Sequence, residues 1–467
     1  MTATAPTRDK ATAPTAPAAP VRPRSRTRIT PEVALAAIAA GAVPVLGLWW
    51  QNTNFIYGLG SVLTNAGRIT GLAAGYAILV ILALMARVPA LERGVGADRL
   101  ARWHAAGGRY VVSLAVAHTL LIIWGYAVTA HADAISQTRT LVLTYPDVLM
   151  ATVALGLFVM VGVTSGRAAR KRMRYETWHL LHLYTYVAIG LTFAHEFATG
   201  ADFTDTSVRV LWLGLYIAVG SLLLWYRLIT PLLNLARHTL RVVAVVPHGC
   251  DMVSVVVGGR NLARLDAQPG QFFRWRFLTR GLAGAANPYS LSAAPRGDQL
   301  RITVKTAGRH SAALARLKPG TRVLAEGPYG AFTADLRHRS PRGRQTGKVL
   351  LIGIGIGITP VRALLESAPA APGGMTLLYR ARRQRDLVLR EEIEHIAAAR
   401  GARVHYLLGR RETGDHLSPR QLQRLVPDLA DHEVYLCGPD ELIGRLARTL
   451  RRAGVARAGI HFESFSF

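Results

Sequence analysis

Residues 102–126 read RWHAAGGRYVVSLAVAHTLLIIWGY, and residues 178–197 read WHLLHLYTYVAIGLTFAHEF. Both are apolar runs that carry histidines: His104 and His118 on the first, His182 and His195 on the second. The members of the two pairs stand 14 and 13 positions apart. At 1.5 Å rise per residue this is roughly 20 Å along a helix, most of a hydrocarbon core about 30 Å thick. An imidazole in lipid needs a partner, and a haem iron held by histidine from both sides supplies one. Two helices that each bear a near-inner and a near-outer imidazole have the layout to hold two haems stacked across a bilayer. Fourteen residues at 100° each return to within about 40° of the start, so His104 and His118 share a face. Thirteen residues end about 140° away, so an ideal helix does not align His182 with His195. His179 is a rival inner ligand, with a worse phase relation to His195.

The chain has 467 residues, 50% of them hydrophobic, and a formal net charge of +28. That length suggests about three domains. So basic a chain invites a nucleic-acid reading, but no recognition motif accompanies the charge, and the first half is too apolar. The arginines and lysines collect in particular loops instead, as membrane topology requires. Only two cysteines are present, Cys250 and Cys437. That excludes cysteine-ligated iron–sulfur clusters, covalent haem attachment and a disulfide framework, so any haem is of the non-covalent b type.

Residues 1–30 are rich in Ala, Pro and Thr with a basic end, and read as a disordered cytoplasmic tail without the apolar region of a cleaved signal peptide. Residues 31–230 read as a six-helix transmembrane bis-haem domain, with apolar runs near 31–50, 69–88, 107–130, 145–165, 178–198 and 207–230. Basic residues crowd the tail, the second connection (Arg87, Arg93, Arg99, Arg102) and the fourth, RAARKRMR at 167–174. The positive-inside rule then makes this a multi-pass protein of the cell membrane with both termini in the cytoplasm. His104 and His182 lie near the inner face, His118 and His195 near the outer. Arg109, five residues past His104, and Arg68, at the start of the second span, are natural counter-charges for the propionates of the inner and outer haems.

The composition changes after Arg227. Residues 237–338 hold short strands separated by turn signals (PHG, QPG, APRGD, KPG), the pattern of a small antiparallel β-barrel. A basic linker follows over 337–347. Residues 346–467 alternate strands with helices, which predicts an α/β doubly wound parallel sheet. Its first strand leads into LIGIGIGITP (351–360), where Gly353, Gly355 and Gly357, then Thr359 and Pro360, fall between a strand and a helix. Glycines there let the backbone approach a pyrophosphate at a helix N-terminus, although the full Gly-x-Gly-x-x-Gly pattern is absent. Arg380, Arg382, Arg383 and Arg385 follow the second strand of this domain, where an adenosine ribose would lie. Such a cluster favours a 2′-phosphate, hence NADPH over NADH.

Further motifs stand in a fixed order: Asn287-Pro288-Tyr289-Ser290-Leu291-Ser292 after a barrel strand, Gly308-Arg309-His310-Ser311 opening a short helix, Cys437-Gly438-Pro439 closing a sheet strand, and Glu463-Ser464-Phe465-Ser466-Phe467 at the end. With these, the second half resembles a ferredoxin–NADP reductase type module, and residues 31–467 resemble a bacterial member of the ferric reductase and NADPH oxidase superfamily. The resemblance implies two haem b, FAD and NADPH or NADH as cofactors. It implies that Tyr289 packs on the flavin ring, with Ser290 near its N5 and Leu291 and Ser292 in the same stretch. It assigns the FAD pyrophosphate to the Gly308–Ser311 turn, which includes His310. Position 287 is commonly Arg or His in the family; with Asn287 here, Lys305 or Arg309 must meet part of the phosphate charge. Cys437, Gly438 and Pro439 would line the nicotinamide pocket, and Phe467 would cover the flavin until nicotinamide displaces it.

The resemblance further implies a route from cytoplasmic NAD(P)H through FAD, the inner haem and the outer haem to an extracytoplasmic acceptor, either a ferric chelate or dioxygen. Oxidase relatives often carry a histidine one turn past the outer ligand. Ile122 occupies that place, which weighs against superoxide formation. A membrane electron-supply module for an external redox partner protein, and a non-enzymatic haem-binding membrane component, are the rival readings.

Overall fold

A computed structural model describes residues 27–53, 57–173, 175–249, 251–284, 286–334, 347–409 and 417–465. The chain divides into two compact units between Leu232 and Leu233.

The first unit is helical: α1 Pro31–Gln51, α2 Gly58–Leu84, α3 Pro89–Val95, α4 Ala97–Thr129, α5 Ala134–Thr144, α6 Val148–Ser165, α7 Arg167–Arg172, α8 Tyr175–Thr199 and α9 Thr206–Leu223. A π turn, Leu224–Ile229, carries α9 into α10, Thr230–His238. Among the described residues five helices are long and apolar enough to cross a membrane: Pro31–Gln51, Gly58–Leu84, Arg99–Thr129, Val148–Ser165 and Thr206–His238. The sixth expected span is the 25-residue helix α8, whose length suffices. Its three histidines and Glu196 make it too polar to join the apolar class on composition alone. Of the six expected spans, five are therefore matched by apolar helices among the described residues, and α8 falls outside that class.

Three further expectations change here. The second span starts at Gly58 rather than near 69, so Arg68 lies well inside α2 instead of at its end. The connection after α4 is not loop throughout; Asp133 caps α5 by accepting from the amides of Ile135 and Ser136 at 3.0 Å each. The end of the supposed disordered tail is packed. Ile29 donates its N–H to Ala90 O at 3.0 Å and lies against Leu84, Val95 and Leu100.

In the second unit two three-stranded antiparallel sheets enclose one core. The first has the order β1 (Arg241–His248), β2 (Met252–Gly258), β5 (Gln299–Lys305); the second runs β4 (Asn287–Ser290), β3 (Phe272–Phe277), β6 (Val323–Tyr329). In the FFRWRF strand, Phe273, Trp275 and Phe277 point inward and are fully buried, as period-2 alternation dictates. Single bridges, Leu291↔Ile302 and Arg241↔Arg322, connect the sheets, so the expected barrel is two sheets joined at points rather than a continuous closed ladder. A six-residue helix, α11 (Arg309–Leu314), follows β5.

The remaining strands form one parallel sheet in the order β11 (Ile460–Ser464), β10 (Glu433–Gly438), β7 (Val349–Ile354), β8 (Met375–Ala381), β9 (Arg403–Leu408). Every residue of β7 is buried, because helices cover both faces. On one side Leu351 packs with α12 (Ile358–Ser367) and α13 (Arg390–Arg400). On the other, Leu350 and Ile352 meet α14 (Pro419–Leu425) and α15 (Asp440–Arg452). Strand order reverses between β7 and β10, the place where open α/β sheets bind ligands at their carboxyl ends.

Candidate functional site

The helical unit brings the four histidines into two facing pairs. His104 on α4 meets His182 on α8 with ring centroids 5.9 Å apart, and His118 meets His195 at 6.4 Å. The 140° offset of the second pair does not prevent this. The backbones of α4 and α8 do not run in close contact, so the side chains reach inward across a gap instead of along one narrow seam.

Hydrogen bonds orient the rings. His118 Nδ1 lies 2.8 Å from Gly67 O, His104 Nδ1 lies 3.2 Å from Ile81 O, and His195 Nδ1 lies 2.8 Å from Thr199 Oγ1. A partner at Nδ1 fixes the tautomer and turns Nε2 toward a metal. His182 differs: its Nδ1 is buried with no hydrogen-bond partner, and its ring stacks on Trp178 at 5.2 Å. His179 lies farther from that same Trp178, at 6.5 Å. Close approach of α2 is what seats His118. A Cβ on Gly71 would lie 2.7 Å from His118 Nδ1, and one on Gly75 would lie 2.5 Å from Glu196 Oε1. Glu196 accepts from Trp212 Nε1 and Tyr216 Oη, both at 3.1 Å. Between the two imidazole pairs lies an apolar layer of Ile78, Val111, Ala154, Phe158 and Ala188.

The donor set fits an iron carried by a macrocycle. Among the described residues no group of three or more His, Cys, Asp or Glu could hold a bare ion. Two facing imidazoles would need a group that brings its own nitrogen donors, as a porphyrin does. With each imidazole nitrogen about 2 Å from the metal, ring centres on opposite sides of one iron fall roughly 6 Å apart. The arginines divide differently from expectation. Arg68 forms an ion pair with Asp202, adding Asn65 Oδ1 at 3.0 Å and Asn52 O at 3.4 Å, so its counter-charge comes from the protein. Arg109 is exposed, and five residues place it about 140° around α4 from His104.

In the second unit the glycine turn and the Cys437 strand end are neighbours. Cys437 pairs in register with Gly353, and a Cβ on Gly357 would run into the Cys437 carbonyl. Gly355 has φ +58 with open space where a side chain would stand, a cradle that only glycine leaves clear. Thr359 is buried and donates to Ile356 O at 3.0 Å, so its hydroxyl and the buried Pro360 brace the turn from within. Cys437 is a buried thiol inside the sheet core, and Pro439 leads into α15. Arg380 sits beside Ile354 in register, adjacent to the turn, while Arg382, Arg383 and Arg385 are exposed. Phe465 donates its N–H to Gly438 O at 3.0 Å; Phe467 and Ser466 lie outside the described residues.

On the antiparallel side, β3 holds β4 by pairing Phe273 with Tyr289, and Trp275 Nε1 donates to Tyr289 O at 3.0 Å. The Tyr289 ring is partly buried, which pushes its phenol up to about 12. Asn287 Nδ2 lies 2.9 Å from His310 Nε2, so these two residues, 23 positions apart, tie β4 to the Gly308 turn. Burial lowers the His310 pKa, which favours the neutral ring. Ser311 Oγ accepts the Gly308 N–H at 3.0 Å, and Lys305 is exposed at the end of β5. Leu291 and Ser292 depart from expectation. Both are fully buried, and the Ser292 hydroxyl receives Thr303 Oγ1 at 2.8 Å and Arg301 Nε at 3.1 Å, facing the core rather than a ligand. Ser290 is also buried.

Comparison with known proteins places both units. Residues 70–193, which include His104, His118 and His182 and end two residues before His195, match the family described as ferric reductase like transmembrane component. Residues 351–447 match the oxidoreductase NAD-binding domain family. The chain is 32% identical over 250 residues to ferredoxin–NADP reductase B of Sorangium cellulosum, covering 48% of this chain and 96% of that protein. It is 31% identical over 225 residues to the flavohemoprotein of Vibrio cholerae, covering 45% of this chain and 54% of the relative. The ferredoxin reductase component of 3-ketosteroid-9-alpha-monooxygenase from Rhodococcus rhodochrous is 30% identical over 49% of this chain and 64% of its own length. The chain thus spans nearly all of the first relative and less than two thirds of the other two.

Proposed function

The chain belongs to the ferredoxin–NADP reductase family, fused to a ferric reductase-like membrane domain in the ferric reductase and NADPH oxidase manner, and from that premise we propose that it carries electrons from cytoplasmic NAD(P)H across the cell membrane. The observation that carries this reading is the pair of facing imidazole pairs, at 5.9 and 6.4 Å, on the same chain as a reductase unit.

In this reading the chain's residues bind and orient. Gly355 and Gly357 leave the cradle for the dinucleotide pyrophosphate open, and Arg380 and Arg382 favour a 2′-phosphate. Cys437, Gly438 and Pro439 frame the nicotinamide end. Tyr289 and Ser290 form the flavin face, Asn287 and His310 stand with the Gly308 turn at the flavin phosphates, and Lys305 adds positive charge. When bound, FAD takes two electrons as a hydride and hands them on singly; the haems relay single electrons. His104 and His182 would hold the inner iron, and His118 and His195 the outer one. The acceptor outside is a ferric chelate or dioxygen. No residue of the chain needs to act as an acid or base.

A reduced-minus-oxidised spectrum of the purified protein, with haem and flavin quantified, tests this. Two b-type haems and one FAD per chain, with haem reduction by NADPH, are expected. Failure of NADPH to reduce haem in FAD-loaded protein would refute the proposal.

A further inference from the structure

Five charged side chains in the second unit form one cluster that the route above does not use. Arg301 on β5 donates from both terminal nitrogens to the two carboxylate oxygens of Glu392, each at 2.8 Å. Glu392 also pairs with Arg362 of α12 at 3.0 Å, and Arg362 pairs with Glu366 one turn along the same helix. Glu366 in turn receives Arg296 and the Ala294 N–H, the latter at 3.1 Å. Ala294, Arg296 and Arg301 come from the antiparallel lobe, and Arg362, Glu366 and Glu392 from the parallel-sheet lobe.

The cluster acts on the chemistry through short levers. Arg301 grips Ser292 twice, from Nε to Oγ and from Nη2 to the carbonyl, both at 3.1 Å, and Ser292 lies two residues beyond Ser290. Arg362 lies five residues beyond Gly357, on the helix that the glycine turn opens. The cluster thus joins the end of the flavin-facing strand to the start of the nucleotide-facing helix. Its bonds are directional. A bidentate Arg–carboxylate pair fixes angle as well as distance. Glu366 and Arg362 are 3% and 8% exposed, so neither can exchange its partner for water cheaply. Burial opposes ionisation of both carboxylates. Arg362, Ala294 N–H and Arg296 nevertheless hold Glu366 below the usual range, and Arg301 and Arg362 do the same for Glu392.

We propose that Arg296, Arg301, Arg362, Glu366 and Glu392 are positioning residues that set the distance and angle at which a dinucleotide on the glycine turn meets the flavin face. The proposal rests on the reductase reading given above. The step it governs breaks one C–H bond of the reduced nicotinamide and moves the hydrogen with both electrons to the flavin, leaving one oxidised and the other reduced.

Full-length, FAD-loaded protein mixed anaerobically with NADPH, or with its C4-deuterated form, tests the proposal through the rate of flavin bleaching. A misplacement on the order of 1 Å costs about 100-fold in rate. Glu392→Gln should slow bleaching toward that extent and raise the deuterium effect, with NADP⁺ binding unchanged. Arg301→Lys, which keeps the charge but not the fork, should be slower than wild type and decides the matter should Glu392→Gln not fold. Wild-type bleaching rates in Glu392→Gln or Arg301→Lys would overturn the proposal. A wild-type flavin that NADPH does not bleach would sink the underlying reductase reading, and this inference with it.

Discussion

At the scale of single residues, the His118–His195 pair depends on what is missing beside it. Gly71 leaves the space that His118 occupies, and Gly67 offers the carbonyl that orients the ring. Gly71→Val should displace His118 and remove one haem while the other stays, as read by haem quantification and the difference spectrum. Full haem content with an unaltered spectrum would contradict the assignment. Thr199→Val takes the acceptor from His195 Nδ1 and so weakens that ligand's basicity. A hydrogen bond of about 1 kcal/mol corresponds to about 40 mV for a one-electron centre, so the outer midpoint potential should rise by that order in a spectroelectrochemical titration. The four histidines were legible because imidazoles are rare in apolar runs. Thr199 stood one turn past His195, and Gly67, Gly71 and Gly75 recur every four positions, a small-residue spacing typical of membrane helices. What each glycine accommodates was not legible, since it depends on which helix crosses α2 at that height.

At the scale of elements, local patterning and long-range pairing parted company. Alternation in FFRWRF matches a strand buried on one face, and the unbroken VLLIGI one covered on both, as the structure shows them. The polarity of α8 comes from its three histidines and Glu196, and a count of apolar runs does not weigh it. The Arg301–Glu392 bond joins residues 91 positions apart, a separation at which charge type alone names no partner. Its carboxylates carry a testable pH dependence. Their arginine neighbours hold Glu366 and Glu392 below the usual carboxylate range. A carboxylate depressed in this way stabilises the fold fully above its unfolded pKa and loses that contribution as pH falls through its folded pKa. The gap in thermal midpoint between wild type and Glu392→Gln, followed by release of FAD fluorescence, should therefore be full at neutral pH and close as the solution is acidified below about pH 4. A gap that persists at low pH would show that the carboxylate's charge is not what stabilises.

For the whole molecule, the positive charge gathers in alternate connections, at the tail, between α2 and α4, and at 167–174, which is the pattern the topology expectation rests on. How the two units are arranged lies beyond any pattern in the chain. The apolar layer of Ile78, Val111, Ala154, Phe158 and Ala188 between the imidazole pairs has its own effect at this scale. None of these five side chains carries a hydroxyl or carboxylate that could pass a proton along. In the route proposed above this layer would act as the insulator in a leaky capacitor, with negative charge leaving and its matching proton kept inside. Turnover should then build a voltage, cytoplasmic side positive, that opposes further transfer by about 2.3 kcal/mol per charge for each 100 mV. In sealed vesicles a protonophore should speed steady-state NADPH oxidation and abolish the signal of a potential-sensitive dye. Equal rates with and without it would mean that protons cross alongside the electrons.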